Sequence, residues 1–131
     1  MIDAGLKNKV VLITGVNNPY GIGAAIARAS ALEGAATFIT YLRLPSKAST
    51  TDIAGEEFFR AQNSKTPDEV ISEIREHGGR IESWEADLSN SHVIPLLFDH
   101  AEKAFGPADI LINNAAYYNA DTFIPQSQLN S

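Results

Sequence analysis

The chain has 131 residues, 44% of them apolar, and its ten Lys and Arg against sixteen Asp and Glu give a net charge of -6. This length and composition are typical of one globular domain, and the negative charge argues against a nucleic-acid partner. The absence of cysteine excludes disulfides, thiolate nucleophiles and cysteine metal sites. Neither a membrane-spanning run nor the apolar stretch of a secretion signal is found, so we expect a cytoplasmic protein without membrane contact.

Apolar and β-branched runs predict four strands, at residues 9–14, 36–41, 80–86 and 109–113. The first run, KVVLIT, is continuous rather than alternating, which predicts a strand that is buried on both faces. Segments with helical periodicity lie between the strands. This alternation indicates right-handed βαβ units, and therefore an α/β fold with a parallel sheet.

The first and third helices are predicted from apolar stripes at helical spacing. The first begins at Gly21 and ends at Gly34, and the third has Pro95 in its first turn and ends at Gly106. The stripe of the first helix consists of Ile22, Ala25, Ile26, Ala29 and Leu32, and that of the third consists of Leu96, Leu97, Ala101 and Ala104.

The second helix carries a start signal in the sequence TPDE. Thr66 is expected to cap the helix, Pro67 to take the first helical position and Glu69 to return the capping-box hydrogen bond. Val70, Ile71 and Ile74 are predicted to form its buried face.

The segment TGVNNPYGIGAAIA, residues 14–27, joins the first strand to the first helix. Gly15 permits a sharp exit from the strand, and Gly21 and Gly23 remove side chains where backbone must approach an anion and where helix packs on strand. The free N–H groups and the positive end of the helix dipole would face that anion. A tight turn with close packing is the alternative, but the strand–turn–helix context predicts a nucleotide phosphate site.

Four motifs, in order, resemble the short-chain dehydrogenase/reductase family: TG…GIG at residues 14–23, GA at 34–35, ADL at 86–88 and NNAA at 113–116. The family's last motif usually reads NNAG, and this glycine loop is two residues longer than the usual TGxxxGIG. The resemblance implies a Rossmann-type, three-layer α/β fold with helices on both faces of the sheet and strand order 3-2-1-4. Residues 1–131 would form one NAD(P)-binding domain, the N-terminal half of the family fold, truncated after the fourth strand.

Within the family, the chain looks most similar to NADP-dependent 3-ketoacyl-acyl-carrier-protein reductases. The resemblance implies hydride transfer between NADP(H) and a carbonyl or alcohol substrate, such as a 3-ketoacyl thioester. It also implies a homo-oligomer for the full-length protein. An enoyl reductase of the same superfamily is the alternative, because the long glycine loop followed by FITY at residues 38–41 also resembles those enzymes.

The resemblance also assigns residues to a cofactor site. Asp87 would meet the adenine, with Leu88 beside the ring, whereas Asn113 would chiefly hold the fourth strand to its neighbours. For Asp87 the alternative is a strand-end residue that caps the following turn. Gly15, Gly21, Ile22 and Gly23 would hold the pyrophosphate, and Asn17 and Tyr20 of the same loop are further candidates for cofactor binding. The ribose near the nicotinamide would be lined by Asn114, Ala115 and Ala116.

The end of the second strand bears on the choice of nicotinamide cofactor. NAD-specific sites usually carry Asp or Glu there, whereas this chain reads Thr40-Tyr41-Leu42-Arg43. A guanidinium binds a phosphate bidentately, so Arg43 is the candidate for the 2′-phosphate, with Lys47 as a second and Tyr41 stacked on the adenine edge. NADP is therefore favoured over NAD. The alternative for Arg43 is a solvated loop residue.

Catalytic residues are not found in these 131 residues. The family acidifies a tyrosine with a lysine four residues later and polarises the carbonyl with a serine, but none of the four tyrosines here has that lysine. The histidines and carboxylates lack metal-ligand spacing. We therefore expect the chain to be inactive alone. A complete, non-enzymatic nucleotide-binding module is the alternative, although an apolar fourth strand at the sheet edge argues for the first interpretation.

Overall fold

The computed structural model describes residues 5–43 and 66–115, which form a parallel sheet between two layers of helices. In chain order the elements are β1 (Val10–Ile13), α1 (Ile22–Leu32), β2 (Ala36–Tyr41), α2 (Asp68–Glu76), β3 (Arg80–Glu85), α3 (Val93–Phe105) and β4 (Ile110–Ile112). The strand order is β3-β2-β1-β4, and every neighbouring pair is parallel. The predicted α/β fold and its strand order are confirmed.

Each face of the sheet has its own apolar core. Val11 and Ile13 of β1 pack with α1 and α2, whereas Leu12, between them, packs with Phe38 and with α3 on the opposite face. All four residues of β1 are buried, as the continuous apolar run predicts. The two cores place β1 at the centre of a three-layer structure.

The buried face of α1 differs from the predicted stripe. Ile26 of the predicted stripe packs against the core, but Ile22 and Leu32 are 72% and 81% exposed. The fully buried residues of the helix are small: Gly23, Ala24, Ala27, Ser30 and Ala31. Small residues allow a helix to lie close to the strands beneath it. Since alanines occur on every face of this helix, periodicity alone did not distinguish its buried face.

The start of α2 is also corrected. Pro67, not Thr66, precedes the first helical residue, and no side chain caps this end. The Pro67 carbonyl instead accepts the N–H of Ile71 at 3.0 Å, while Asp68 and Glu69 place negative charge in the first turn. The predicted apolar face, Val70, Ile71 and Ile74, is buried.

The predicted stripe of α3 is half right. Leu97 and Ala101 are buried against the sheet, but Leu96 is 50% exposed and Ala104 is exposed as well. Phe105 packs against the core instead. The helix ends at Gly106, whose φ of 101° is the left-handed conformation that glycine adopts readily. Among the described residues, no helix is long and apolar enough to cross a membrane.

Candidate functional site

The glycine loop lies at the carboxyl end of β1, between the ends of β2 and β4. In the strand order β3-β2-β1-β4, the chain runs from β1 to β2 and β3 on one side and then crosses to β4 on the other side of β1. The carboxyl end of β1 is therefore the topological switch point of the sheet. Crevices at such points are the usual ligand sites of open α/β sheets. The fold therefore places the loop where a nucleotide would bind.

Two side-by-side contacts hold the first part of the loop against the end of β2. The Val16 N–H donates to the Thr40 carbonyl at 2.9 Å, and Asn17 Nδ2 donates to the Leu42 carbonyl at 3.3 Å. Asn17 is 8% exposed. Its side chain thus has a structural role, and a cofactor contact by Asn17 stays a prediction.

The second part of the loop is closed by Asn18. Its carbonyl accepts the Gly21 N–H at 3.0 Å, and its Oδ1 accepts the Tyr20 N–H at 2.9 Å. These two hydrogen bonds close residues 18–21 into a turn. Tyr20 stands on that turn and is 75% exposed.

The N-terminus of α1 opens into this crevice. Gly21 precedes the helix in an extended conformation, no side chain caps it, and the first turn carries no acidic residue. The first N–H groups of a helix have no acceptor within the helix, so they remain available to an anion here. The structure brings Gly21, Ile22 and Gly23 to this position, while their contact with pyrophosphate stays a prediction.

Gly15 and Gly23 make room for the end of β4. Gly15 has φ +76°, and a Cβ added there would lie 2.8 Å from Ala115 Cα. A Cβ on Gly23 would lie 2.6 Å from Asn114 Nδ2, the atom that donates to the Gly15 carbonyl at 3.0 Å. Both glycines are thus required by the packing of the loop against residues 114–115.

The Thr14 hydroxyl is the second link between these segments, and the sequence analysis missed it. Thr14 is 4% exposed, and its Oγ1 accepts the N–H groups of Asn114 at 3.1 Å and Ala115 at 2.9 Å. The anchoring role predicted for Asn113 therefore belongs to Asn114, since the Asn113 side chain is exposed. In the sequence, Thr14 stands out only as the first residue of the TG motif.

Asp87 caps the turn that follows β3. Its Oδ1 accepts the Ser89 hydroxyl at 2.6 Å and the Ser89 N–H at 3.0 Å. These hydrogen bonds hold the pKa of the Asp87 carboxyl below its ordinary value, and the bond from the Ser89 hydroxyl has the larger effect. Leu88 packs against the core under α3. The turn-capping alternative is thereby supported, and adenine contacts by Asp87 and Leu88 stay predictions.

Arg43, the candidate for the 2′-phosphate, forms a bidentate ion pair with Glu85. Nε donates to Oε2 and Nη2 to Oε1, each at 2.9 Å, and the Arg43 N–H also donates to Oε2 at 3.0 Å. The Arg43 hydrogen bonds hold the pKa of the Glu85 carboxyl below its ordinary value, and the same pair raises the pKa of Arg43. Glu85 lies opposite Tyr41 in the strand register, so comparing the ends of adjacent strands would have revealed it.

Two of the predicted site residues, Ala116 and Lys47, lie outside the described residues. The structure gathers the others at the carboxyl ends of the strands, apart from the inward-packed side chain of Leu88. Within residues 5–43 and 66–115, no group of three or more His, Cys, Asp or Glu side chains is arranged to hold a metal ion.

Comparison with known proteins agrees with this geometry. The family model described as short chain dehydrogenase matches residues 54–130. The chain belongs to the short-chain dehydrogenase/reductase family. The resemblance of the four sequence motifs is thereby confirmed.

Individual members of this family match most of the chain. A 3beta-hydroxysteroid dehydrogenase 1 of Eggerthella lenta is 34% identical over 84% of the chain, which spans 34% of that protein. A short-chain dehydrogenase/reductase of Serratia marcescens superposes with a TM-score of 0.66 at 29% identity, over 95% of the chain and 43% of its own length. A metagenomic short-chain oxidoreductase in complex with NADP has a TM-score of 0.61 at 31% identity, over 87% of the chain and 42% of its own.

Proposed function

We propose that this chain is the nucleotide-binding part of an oxidoreductase that transfers hydride between NADP(H) and a carbonyl or alcohol group. The observation that carries the proposal is the uncapped N-terminus of α1, which opens at the switch point of the sheet directly after the glycine loop. Membership of the short-chain dehydrogenase/reductase family supports it.

The residues present fit a dinucleotide. The pyrophosphate would accept hydrogen bonds from the first N–H groups of α1, where Gly21 and Gly23 carry no side chain to obstruct it. The adenosine would lie toward the ends of β2 and β3, near Tyr41 and Asp87. The nicotinamide ribose would lie toward residues 114–116. When bound, the reduced cofactor would supply hydride to a carbonyl, and the oxidised cofactor would accept hydride from an alcohol.

Arg43 supports NADP rather than NAD, because β2 ends without a carboxylate of its own. The metagenomic relative described as a complex with NADP is consistent with this choice. A 3-ketoacyl thioester is our choice of test substrate within the carbonyl class. The proton donor for the carbonyl oxygen would come from outside these 131 residues, since none of their tyrosines is followed by the required lysine. We further propose a cytoplasmic, homo-oligomeric full-length protein.

Titration of the purified chain with NADPH and with NADH, followed by fluorescence of the reduced nicotinamide, tests the proposal. We expect both to bind, NADPH more tightly. In Gly21→Val, both affinities should fall alike by about tenfold or more, because a side chain would occupy the space over the helix start. A Cβ there lies 3.2 Å from the Asn18 carbonyl, so the loop must shift by a few tenths of an ångström, but φ is not positive. We therefore expect the fold to persist, which circular dichroism would verify.

Ala29→Val is the matched control, because Ala29 is exposed on the same helix, two turns away from the crevice. It should leave both affinities unchanged. A folded chain that binds neither cofactor would overturn the proposal. So would a Gly21→Val variant that binds both as tightly as Ala29→Val does.

A further inference from the structure

The fold delivers a carboxylate to the end of β2 although β2 itself has none. Glu85 is the last residue of β3, and the register places it opposite Tyr41, the last residue of β2. Its Oε2 accepts the backbone N–H of Arg43, two residues further on. A carboxylate from the neighbouring strand therefore lies at the end of β2, but both of its oxygens are engaged by Arg43 rather than free to bind ribose hydroxyls.

The same carboxylate covers one edge of the guanidinium. Nε and Nη2 of Arg43 both donate to Glu85, which is the two-point geometry that a phosphate would also use. A 2′-phosphate that approaches Arg43 thus meets a guanidinium whose bidentate edge is already occupied.

Exposure makes this pair exchangeable. The side chains of Arg43 and Glu85 are 56% and 31% exposed, so water screens their attraction and the pair stabilises the fold little. A phosphate dianion can displace a monoanionic carboxylate from the guanidinium. Separating Arg43 from Glu85 costs free energy, however, and this cost reduces the net affinity for the phosphate.

We propose that Glu85 sets the cofactor preference of this site by competing with the 2′-phosphate of NADP(H) for the bidentate edge of Arg43. The inference rests on the proposed function. Glu85 makes the site less selective for NADP than the same site would be if Arg43 had no carboxylate partner. NADH lacks the 2′-phosphate and is bound independently of this competition.

The test is Glu85→Gln, which removes the charge and keeps the size of the side chain. NADPH affinity should rise about three- to tenfold, as expected for one charge removed at contact distance in a partly exposed site, and NADH affinity should change less than about twofold. Glu82→Gln is the matched control. It makes the same change in net charge on the same strand, in an exposed pair with Arg75 at 3.3 Å. It should leave the ratio of the two affinities unchanged.

Competition requires the arginine, so the double variant Arg43→Ala/Glu85→Gln completes the cycle. In the Arg43→Ala background, Glu85→Gln should raise NADPH affinity much less than it does when Arg43 is present. An unchanged NADPH-to-NADH ratio in Glu85→Gln, a fall in NADPH affinity, or a full gain in the Arg43→Ala background would overturn the inference while leaving the proposed function intact. A folded chain that binds neither nucleotide would overturn both.

Discussion

Arg43 is paired with Glu85, and this ion pair limits how much NADPH affinity the removal of Arg43 can cost. Arg43→Ala should weaken NADPH binding by about 1.5 kcal/mol, the lower end of the range for a hydrogen bond to a charged group, because the carboxylate already occupies one edge of the guanidinium. NADH binding should be nearly unchanged. Parallel titrations would measure this, with Arg75→Ala as the control exposed arginine. Equal losses for the two cofactors would contradict the assignment.

The carboxyls of Asp87 and Glu85 make stability depend on acidity. Each has a pKa in the folded chain below its ordinary value, Asp87 through Ser89 and Glu85 through Arg43. A depressed pKa contributes stability above the unfolded-state pKa, near 4, and that contribution is lost as pH falls through the folded value. Because Asp87 is exposed and water screens the Arg43–Glu85 pair, we expect the urea midpoint to fall only slightly as the solution is acidified from about pH 5 to pH 3.

Asp87→Asn isolates one of these contributions. The variant should be less stable than the wild type at neutral pH, and its urea midpoint should fall less on acidification. Glu102→Gln, which removes one negative charge from the exposed face of α3, controls for net charge. An acid profile of Asp87→Asn that parallels the wild type would show that the Ser89 hydrogen bonds contribute nothing measurable.

Sequence distance decided which of these residue contacts could be predicted. Asp87 and Ser89 are two positions apart, and the turn-capping alternative for Asp87 followed from the preference of Asp for such turns. Arg43 and Glu85 are 42 positions apart and meet only because β2 and β3 are in register. The sequence around β2 alone therefore could not predict that a carboxylate lies beside Arg43.

At the scale of elements, the ends of β1 and β4 are joined by one buried hydroxyl. Thr14→Val would leave the N–H groups of Asn114 and Ala115 without their acceptor, and we expect it to lower the free energy of unfolding by about 1–3 kcal/mol. Cofactor affinity should fall with it, since residues 114–115 would lose their fixed position. Urea denaturation and NADPH titration measure the two effects.

Thr37→Val is the internal control for that experiment. Thr37 is fully buried in β2, and within the described part of the chain its Oγ1 has no hydrogen-bond partner. Replacement of an unpartnered buried hydroxyl by a methyl group of the same shape should be neutral or stabilising. If Thr37→Val destabilised the chain as much as Thr14→Val, the two backbone bonds at Thr14 would not explain its importance.

Elements with one dominant signal were predicted well, and ambiguous ones were not. The limits of β2 and the buried face of α2 agree with the prediction because β-branched and apolar residues are concentrated there. The predicted face of α1 was wrong except at Ile26, because alanines surround the helix and packing against the sheet buried Ala24, Ala27 and Ala31. The cap of α2 was wrong by one residue, a shift that depends on backbone angles at Pro67.

At the scale of the molecule, three layers and a switch point create the site. β1 is buried by α1 and α2 on one face and by α3 on the other, and its carboxyl end lies between β2 and β4. Strand–helix alternation predicted the parallel sheet, and the family resemblance supplied the order of the strands. The links from the glycine loop to residue 114 could not be predicted, because they join positions about 100 residues apart.

Binding a nicotinamide cofactor is only part of carbonyl reduction. The developing alkoxide also needs a positioned proton donor and a stabilising hydrogen bond, and no tyrosine among these 131 residues is followed by lysine at the fourth position. We therefore expect no steady oxidation of NADPH by the 131-residue chain with a 3-ketoacyl thioester. A full-length family reductase that acts on the same substrate is the positive control.

Cofactor binding and turnover are separable in this design, because each is measured on the same preparation. Tight NADPH binding without turnover is expected, since a bound cofactor alone does not supply the positioned proton donor that carbonyl reduction needs. Steady turnover at a rate comparable to the control would contradict it and would require an acid within these residues. Tyr117 and Tyr118, just past the NNAA motif and outside the described residues, would be the first to replace by phenylalanine. A rate that survived both replacements would remove tyrosine from the chemistry altogether.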